Sequence, residues 1–157
     1  MSHSLLTPAF KEALIRQLVY FDENRHILID PLATYTHGEK KDLRSLLLEY
    51  EKRIEKLVAG FEEDLLQSRI LIGSTVVLQF EGESTSEIYK IVLPDELGME
   101  ENRISCLSPL GRGLLLAKCG DPVTIRTPQG DYSVTVLANE YEEGMIGKPT
   151  VPELGGL

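Results

Sequence analysis

Residues 104–141, ISCLSPLGRGLLLAKCGDPVTIRTPQGDYSVTVLANEY, contain the densest set of structural signals in the chain. ISCL (104–107) predicts a short strand. Ser108 followed by Pro109 is typical of a helix start, because serine caps the first turn and proline needs no hydrogen-bond partner there. Residues 121–127 and 131–141 have strand-like patterns on either side of a TPQG turn. This stretch therefore predicts a strand, a capped helix and a final hairpin.

Two glycines interrupt the predicted helix. Gly111 and Gly113 each cost about 1 kcal/mol relative to alanine inside a helix. Such glycines often mark close packing, and we expect the helix to lie tightly against a sheet. Upstream, residues 74–80 and 86–93 alternate with period two, which predicts two further strands, and residues 94–102 are typical of a loop.

Residues 8–70 have a helical pattern instead. Thr7 can cap a helix whose first residue is Pro8. Pro31 disfavours helix at Asp30, so we expect a kink or break near 22–31.

A second helical run carries one apolar seam. We expect this seam to pair with the preceding helix as an antiparallel hairpin, with THGEKKDL (36–43) as its turn and Gly38 in a left-handed conformation. A small bundle packed on the second half of the chain would have the same pattern. The seam residues recur at steps of three and four: Leu43, Leu47, Tyr50, Ile54, Leu57, Phe61 and Leu65.

The resulting fold class is α+β. We predict an N-terminal antiparallel helical hairpin, or coiled coil, over residues 1–70. A small antiparallel sheet with one helix follows over residues 71–144, and residues 145–157, rich in glycine and proline, form a flexible tail.

Composition narrows the function classes. The net charge is −9, from 16 Lys and Arg against 25 Asp and Glu, so the chain lacks the basic surface of a stand-alone nucleic-acid binder. No apolar run reaches the roughly 18 residues that a membrane span needs. Cys106 and Cys119 are expected to be reduced thiols in a cytoplasmic protein. The sequence contains no phosphate-binding loop, dinucleotide fingerprint or Cys/His metal cluster, so we expect neither an active site nor a cofactor of its own.

The 104–141 stretch resembles the C-terminal domain of the bacterial Gre transcript-cleavage factors. Their pattern is approximately I-S-x-x-S-P-[IL]-x-x-[AG]-L-[LI]-G-x-x-x-G-D-x-[VI]-x-[VI]-x-T-P-x-G, closed by E-Y. The strands GSTVVL (73–78) and EIYKIV (87–92) also fall where the family has its own, and we take Ala117 as a departure from a usual glycine. The matching residues are Ile104, Ser105, Ser108, Pro109, Leu110, Gly113, Leu114, Leu115, Gly120, Asp121, Val123, Ile125, Thr127, Pro128, Gly130, Glu140 and Tyr141.

The resemblance implies a coiled coil joined to a domain similar to the FK506-binding-protein fold. It implies that a monomer binds bacterial RNA polymerase, with the globular domain at the rim of the secondary channel and the coil inside it. The coil tip would act on the catalytic Mg²⁺ and thereby, indirectly, on the nascent RNA 3′ end. The candidate partner-binding residues are Ser108, Pro109, Gly113, Leu114, Gly120 and Asp121.

At the tip of Gre factors, an Asp and a Glu three residues apart help to hold the second Mg²⁺, which activates water for RNA cleavage by the polymerase. Carboxylates suit that role because Mg²⁺ prefers oxygen ligands. In this chain Glu39 and Asp42 keep the spacing with the two side chains exchanged, and they would bind metal only in the complex. Lys40 and Lys41 between them would repel the metal by a few kcal/mol at about 4 Å before screening.

Several alternatives remain at the level of the sequence. The tip also departs from the family at Leu43, Ser45 and Leu46, which is compatible with a cleavage-deficient, inhibitory relative or with a plain charged turn. The nucleoside diphosphate kinase regulators share the C-terminal domain and act without polymerase, but have a shorter coil. A peptidyl-prolyl isomerase is disfavoured because Phe80, Tyr89, Tyr132 and Tyr141 are the only aromatic residues of the second half.

Overall fold

The computed structural model describes residues 8–29, 37–60, 69–98 and 100–141, without the side chains of 26–29 and 37. The chain divides into two compact units, Met1–Glu63 and Asp64–Leu157. The tail predicted at 145–157 lies outside the described residues.

Helix α1 spans Pro8–Ile29 as one helix of 22 residues. Proline is its first residue, as the sequence predicts, whereas the proposed cap Thr7 lies outside the described residues. The break expected near 22–31 does not occur between 22 and 29. Proline restricts the residue directly before it, and that residue, Asp30, lies with Pro31 beyond the described end of α1.

Helix α2 spans His37–Val58. The turn predicted at 36–43 is therefore wrong for residues 37–43, which form the first two turns of this helix. Gly38 is not among the glycines with positive φ. Glutamate and lysine are good helix formers, and an acid in the first turn is favoured by the helix dipole, so the segment continues the seam toward its N-terminal side. Any connection between α1 and α2 falls in residues 30–36, outside the described part of the chain.

The two helices pack through their apolar stripes. The seam prediction is confirmed for the five members that are described, whereas Phe61 and Leu65 fall outside. Inside the contact, the Tyr50 hydroxyl donates to Gln17 Oε1 at 2.6 Å, and the Phe21 and Tyr50 rings meet edge to face at 6.2 Å. The buried apolar residues are Phe10, Ala13, Leu14, Phe21, Leu43, Leu47, Tyr50, Ile54 and Leu57.

In its described part, the second unit contains a five-stranded sheet and one short α-helix. The elements are β1 Ser74–Phe80, β2 Ser86–Val92, β3 Arg103–Ser105, α3 Pro109–Leu114, β4 Pro122–Thr127 and β5 Gly130–Tyr141. The strand order is β3-β2-β1-β5-β4, so β1 lies at the centre. Strand β3 runs parallel to β2, and the sheet is mixed rather than antiparallel as predicted. The cause is the connection between β2 and β3, which brings the chain back so that Arg103 lies beside Lys90 and β3 then runs in the same direction as β2.

Helix α3 is held to the sheet by its two glycines, as the sequence predicts. A Cβ at Gly111 would lie 2.0 Å from the Ser105 carbonyl oxygen of β3, and one at Gly113 would lie 2.7 Å from Ile125 Cδ1 of β4. Ser108 caps the helix, because its Oγ accepts from the Gly111 N–H at 3.0 Å. The helix therefore lies against the backbone of the edge strand β3 and against the Ile125 side chain of the other edge strand, β4.

The residue after α3 that needs a glycine-like backbone is Leu116, whose φ is 70°. When the pattern L-[LI]-G-x-x-x-G is aligned on Leu114 and Gly120, its first glycine falls on Leu116. The departure from the usual glycine is therefore at Leu116, and its assignment to Ala117 is wrong. Backbone hydrogen bonds hold Leu116 in place, since its N–H donates to the Ile70 carbonyl at 2.8 Å. A non-glycine residue in this region carries strain of about 1–2 kcal/mol.

Candidate functional site

The proposed tip acids lie on the first turns of α2. Asp42 is exposed and Glu39 is half-buried, one turn before the first buried seam residue, Leu43. Because residues three apart on a helix are neighbours, the Cβ atoms of Glu39 and Asp42 lie about 5–6 Å apart. The structure therefore keeps these acids together on a helix rather than on a turn.

The helix also separates the lysines from the acids. Successive residues on an α-helix are rotated by about 100°, so Glu39 and Asp42 lie about 60° apart around the axis. Lys40 and Lys41 each lie about 100° from one acid and about 160° from the other. Both lysines would lie between the acids in a turn, but they do not in a helix. Their electrostatic repulsion of a cation bound by Glu39 and Asp42 is therefore weaker than the sequence suggests.

Two carboxylates are an incomplete site for a hard cation. Mg²⁺ takes six ligands in an octahedron and is usually bound by one or two carboxylates together with waters or substrate phosphates. Among the described residues, no group of three or more His, Cys, Asp or Glu side chains is arranged to hold a metal. The pair fits a metal whose other ligands come from elsewhere.

The candidate partner-binding residues have individual roles in the second unit. Ser108 and Pro109 start α3, Gly113 gives it close packing, and Leu114 is fully buried. Gly120 adopts φ 95°, and its N–H donates to the Val136 carbonyl at 2.6 Å. Ser108, Gly113, Leu114 and Gly120 therefore contribute to the fold of the second unit itself.

The turn after α3 leaves two of the candidate partner-binding residues exposed to solvent. Gly120 and Asp121 are exposed, as are their neighbours Lys118 and Cys119. The Asp121 carbonyl accepts from the Val136 N–H at 3.2 Å, which ties this turn to β5. Of the six candidates, these two present the most open surface.

Both cysteines are free thiols, as expected. Cys106 directly follows β3 and is fully buried, and burial raises the pKa of its thiol to about 12. Cys119 is exposed, with its Sγ 3.3 Å from the Leu137 carbonyl oxygen.

Comparison with known proteins identifies the family. Residues 65–141 match the family model of the transcription elongation factor GreA/GreB C-terminal domain. A GreB from Neisseria meningitidis is 30% identical over 115 residues, covering 68% of this chain and 67% of that protein. The chain belongs to the GreA/GreB family. Its members are named as transcription elongation factors, which confirms the resemblance found in residues 104–141.

Other relatives vary in how much they match. A GreB from Pseudomonas aeruginosa is 34% identical over 111 residues, covering 69% of this chain and 66%, just under two thirds, of that protein. A GreA from Francisella tularensis is 27% identical over 153 residues, covering 87% of this chain and 96% of that protein. The latter match therefore extends over most of the chain.

A solved structure supports the fold. The GreA/GreB protein from Nitrosomonas europaea superposes with a TM-score of 0.53 at 20% identity, covering 82% of this chain and 93% of that one. The α+β class therefore holds. Among the described helices, none is long and apolar enough to cross a membrane.

Proposed function

We propose that this protein is a transcription elongation regulator that binds bacterial RNA polymerase through the secondary channel. In this proposal the second unit docks at the channel rim, and the start of α2 approaches the catalytic Mg²⁺. Family membership supports the class of function. The observation that carries the mechanism is the position of Glu39 and Asp42 on neighbouring helix positions, away from both lysines.

The proposal includes two finer points of the fold. Helices α1 and α2 form an antiparallel hairpin, which would place the start of α2 at one end of the helical unit. The second unit adopts an arrangement similar to the FK506-binding proteins. Both follow from the family resemblance and are compatible with the packing of α1 on α2 and with the mixed sheet.

The chemistry assigned to the tip is electrostatic. Glu39 and Asp42 would supply two carboxylate ligands to a Mg²⁺ in the complex with the polymerase. When bound there, the ion would supply the activation of water that two-metal sites provide. The protein itself acts as a cytoplasmic monomer, with neither an active site nor a cofactor of its own, and affects the RNA 3′ end only through the polymerase.

Stalled elongation complexes with end-labelled RNA test this proposal. Wild-type protein is expected to release short 3′ fragments, and Glu39→Gln with Asp42→Asn to reduce the rate more than tenfold. A matched control neutralises two exposed acids of α1, Glu12→Gln with Glu23→Gln, and should retain the rate within twofold.

The lysines provide a second comparison. Replacing Lys40 and Lys41 with alanine should change the cleavage rate less than threefold, because they face other directions on the helix. Polymerase binding without cleavage would favour the cleavage-deficient alternative, a regulator that occupies the channel. If the protein neither binds polymerase nor changes transcription, the proposal fails.

A further inference from the structure

Three aromatic side chains gather on one face of the sheet. Phe80 ends β1, Tyr89 lies on β2 and Tyr132 lies near the start of β5. The Phe80 and Tyr132 rings are stacked with centroids 5.8 Å apart and an interplanar angle of 24°. Tyr89 meets Phe80 edge to face at 6.3 Å and 71°. The rings thus form a corner of two nearly perpendicular walls, which we call the aromatic corner.

The aromatic corner is not part of the buried core. All three residues remain partly exposed. Tyr141 is the other aromatic residue among the described residues of the second unit, and it is 97% buried. Tyr89 and Glu87 lie in the EIYKIV strand (87–92) that matches the family, whereas Phe80 and Tyr132 lie outside the matching residues. Because all three rings stay partly exposed, their clustering is not explained by core packing alone.

Carboxylates accompany the rings. The Tyr89 hydroxyl donates to a carboxylate oxygen of Glu87, two residues before it on the same strand face. This hydrogen bond, together with burial and the nearby charge of Glu87, raises the pKa of Tyr89 to about 12, and Tyr132 and Glu83 contribute in the same direction. Gln79 fixes the turn that carries Glu83, since its amide donates to the carbonyls of Glu83 and Thr85.

Aromatic faces bordered by carboxylates select for cations. A guanidinium is attracted to the negative face of a ring and stacks on it, and a nearby carboxylate can pair with its N–H groups. Nucleic-acid bases also stack on aromatic residues, but their phosphates would be repelled by Glu83 and Glu87. The charge of this surface is therefore complementary to a basic protein segment.

We propose that Phe80, Tyr89 and Tyr132, together with the carboxylates of Glu83 and Glu87, form a docking surface for an arginine-bearing segment of a partner protein. The surface lies on the second unit and does not depend on the metal-directed acids of α2. It adds a specific attachment point to the regulator, whether or not the tip promotes cleavage.

A peptide titration on the full chain tests the surface. The probe is the peptide Gly-Arg-Gly-Arg-Gly, and its control is the same peptide with citrulline, a neutral isostere, in place of each arginine. Two-dimensional amide NMR should show saturable shifts at residues 79–89 and 131–134 with the arginine peptide and none with the citrulline peptide. Tyr89→Phe keeps the ring and should retain the affinity, whereas Tyr89→Leu should weaken it about threefold.

Further variants separate a local site from general attraction to an acidic chain. Glu87→Gln should weaken binding more than Glu101→Gln, which removes the same charge from an exposed loop position. Glu39→Gln with Asp42→Asn should leave the affinity unchanged, so this inference and the proposed function can fail separately. Equal shifts with the citrulline peptide, shifts spread over all acidic surfaces, or full affinity in a Tyr89→Leu protein with a native spectrum would each overturn the proposal.

Discussion

Replacing Gly111 with alanine should destabilise the second unit, although helix propensity alone predicts the opposite. Inside a helix, alanine is favoured over glycine by about 1 kcal/mol. At this position the new Cβ would lie 2.0 Å from the Ser105 carbonyl oxygen. Carbon and oxygen atoms normally approach no closer than about 3.3 Å, so α3 must move away from β3 by more than 1 Å, roughly the difference between these distances.

The movement has a calculable cost. Overpacking of the contact between α3 and β3 costs about 1–3 kcal/mol. The movement also disturbs the Ser108 cap, in which the Gly111 N–H donates to Oγ at 3.0 Å, and loss of such a cap costs about 1 kcal/mol. After subtraction of the propensity gain, we expect a loss of about 2 kcal/mol in the free energy of unfolding. For a domain of this size that lowers Tm by roughly 10 °C.

Thermal unfolding of the full chain, followed through the amide NMR peaks of residues 104–141, measures this loss. Gly113→Ala is the matched control, since its Cβ would meet only the terminal methyl of Ile125, which can rotate away. Its stability should remain within about 1 kcal/mol of wild type. A Gly111→Ala protein as stable as wild type would refute the close contact of α3 with the β3 backbone.

Four further predictions concern other parts of the chain. Tyr50→Phe removes the buried 2.6 Å hydrogen bond to Gln17 and should cost the helical unit about 1–3 kcal/mol in urea unfolding monitored at 222 nm; an unchanged midpoint would contradict this. At position 116, where φ is 70°, glycine should be more stable than alanine by about 1–2 kcal/mol, the reverse of their order in a helix. In the native protein one thiol, Cys119, should react rapidly with a disulfide reagent and Cys106 only after unfolding. Burial raises the pKa of the Cys106 thiol to about 12. The buried neutral thiol therefore contributes fully to the free energy of unfolding below the ordinary thiol pKa of about 8.5, and this contribution is lost as the pH rises toward 12. In a Cys106→Ala protein this loss of stability at high pH should be absent.

The second unit is largely predictable from sequence because its signals are local. Ser108 and Pro109 mark the helix start, and the glycines of α3 indicate contact with the sheet before any contact is seen. The parallel pairing of β3 is not predictable in the same way, since it depends on the path of residues 93–102 and not on the residues of the strand.

The helical unit shows where local signals mislead. Gly38 among mixed charges is typical of a turn, yet the helix that Leu43 anchors extends back through it to His37. Pro31 indicates an interruption, but its effect does not reach residue 29. The clustering of Phe80, Tyr89 and Tyr132 also escapes sequence reasoning, because three strands bring these residues together from distant positions.

Localised radical cleavage tests the central claim most directly. Fe²⁺ placed in the catalytic site of RNA polymerase instead of Mg²⁺ generates hydroxyl radicals that cut any chain beside it. If Glu39 and Asp42 approach the catalytic metal, the bound protein is cut at the start of α2, around residues 37–43, and is left intact over residues 69–141. Cuts confined to the second unit, or none in a complex shown to have formed, would contradict the account.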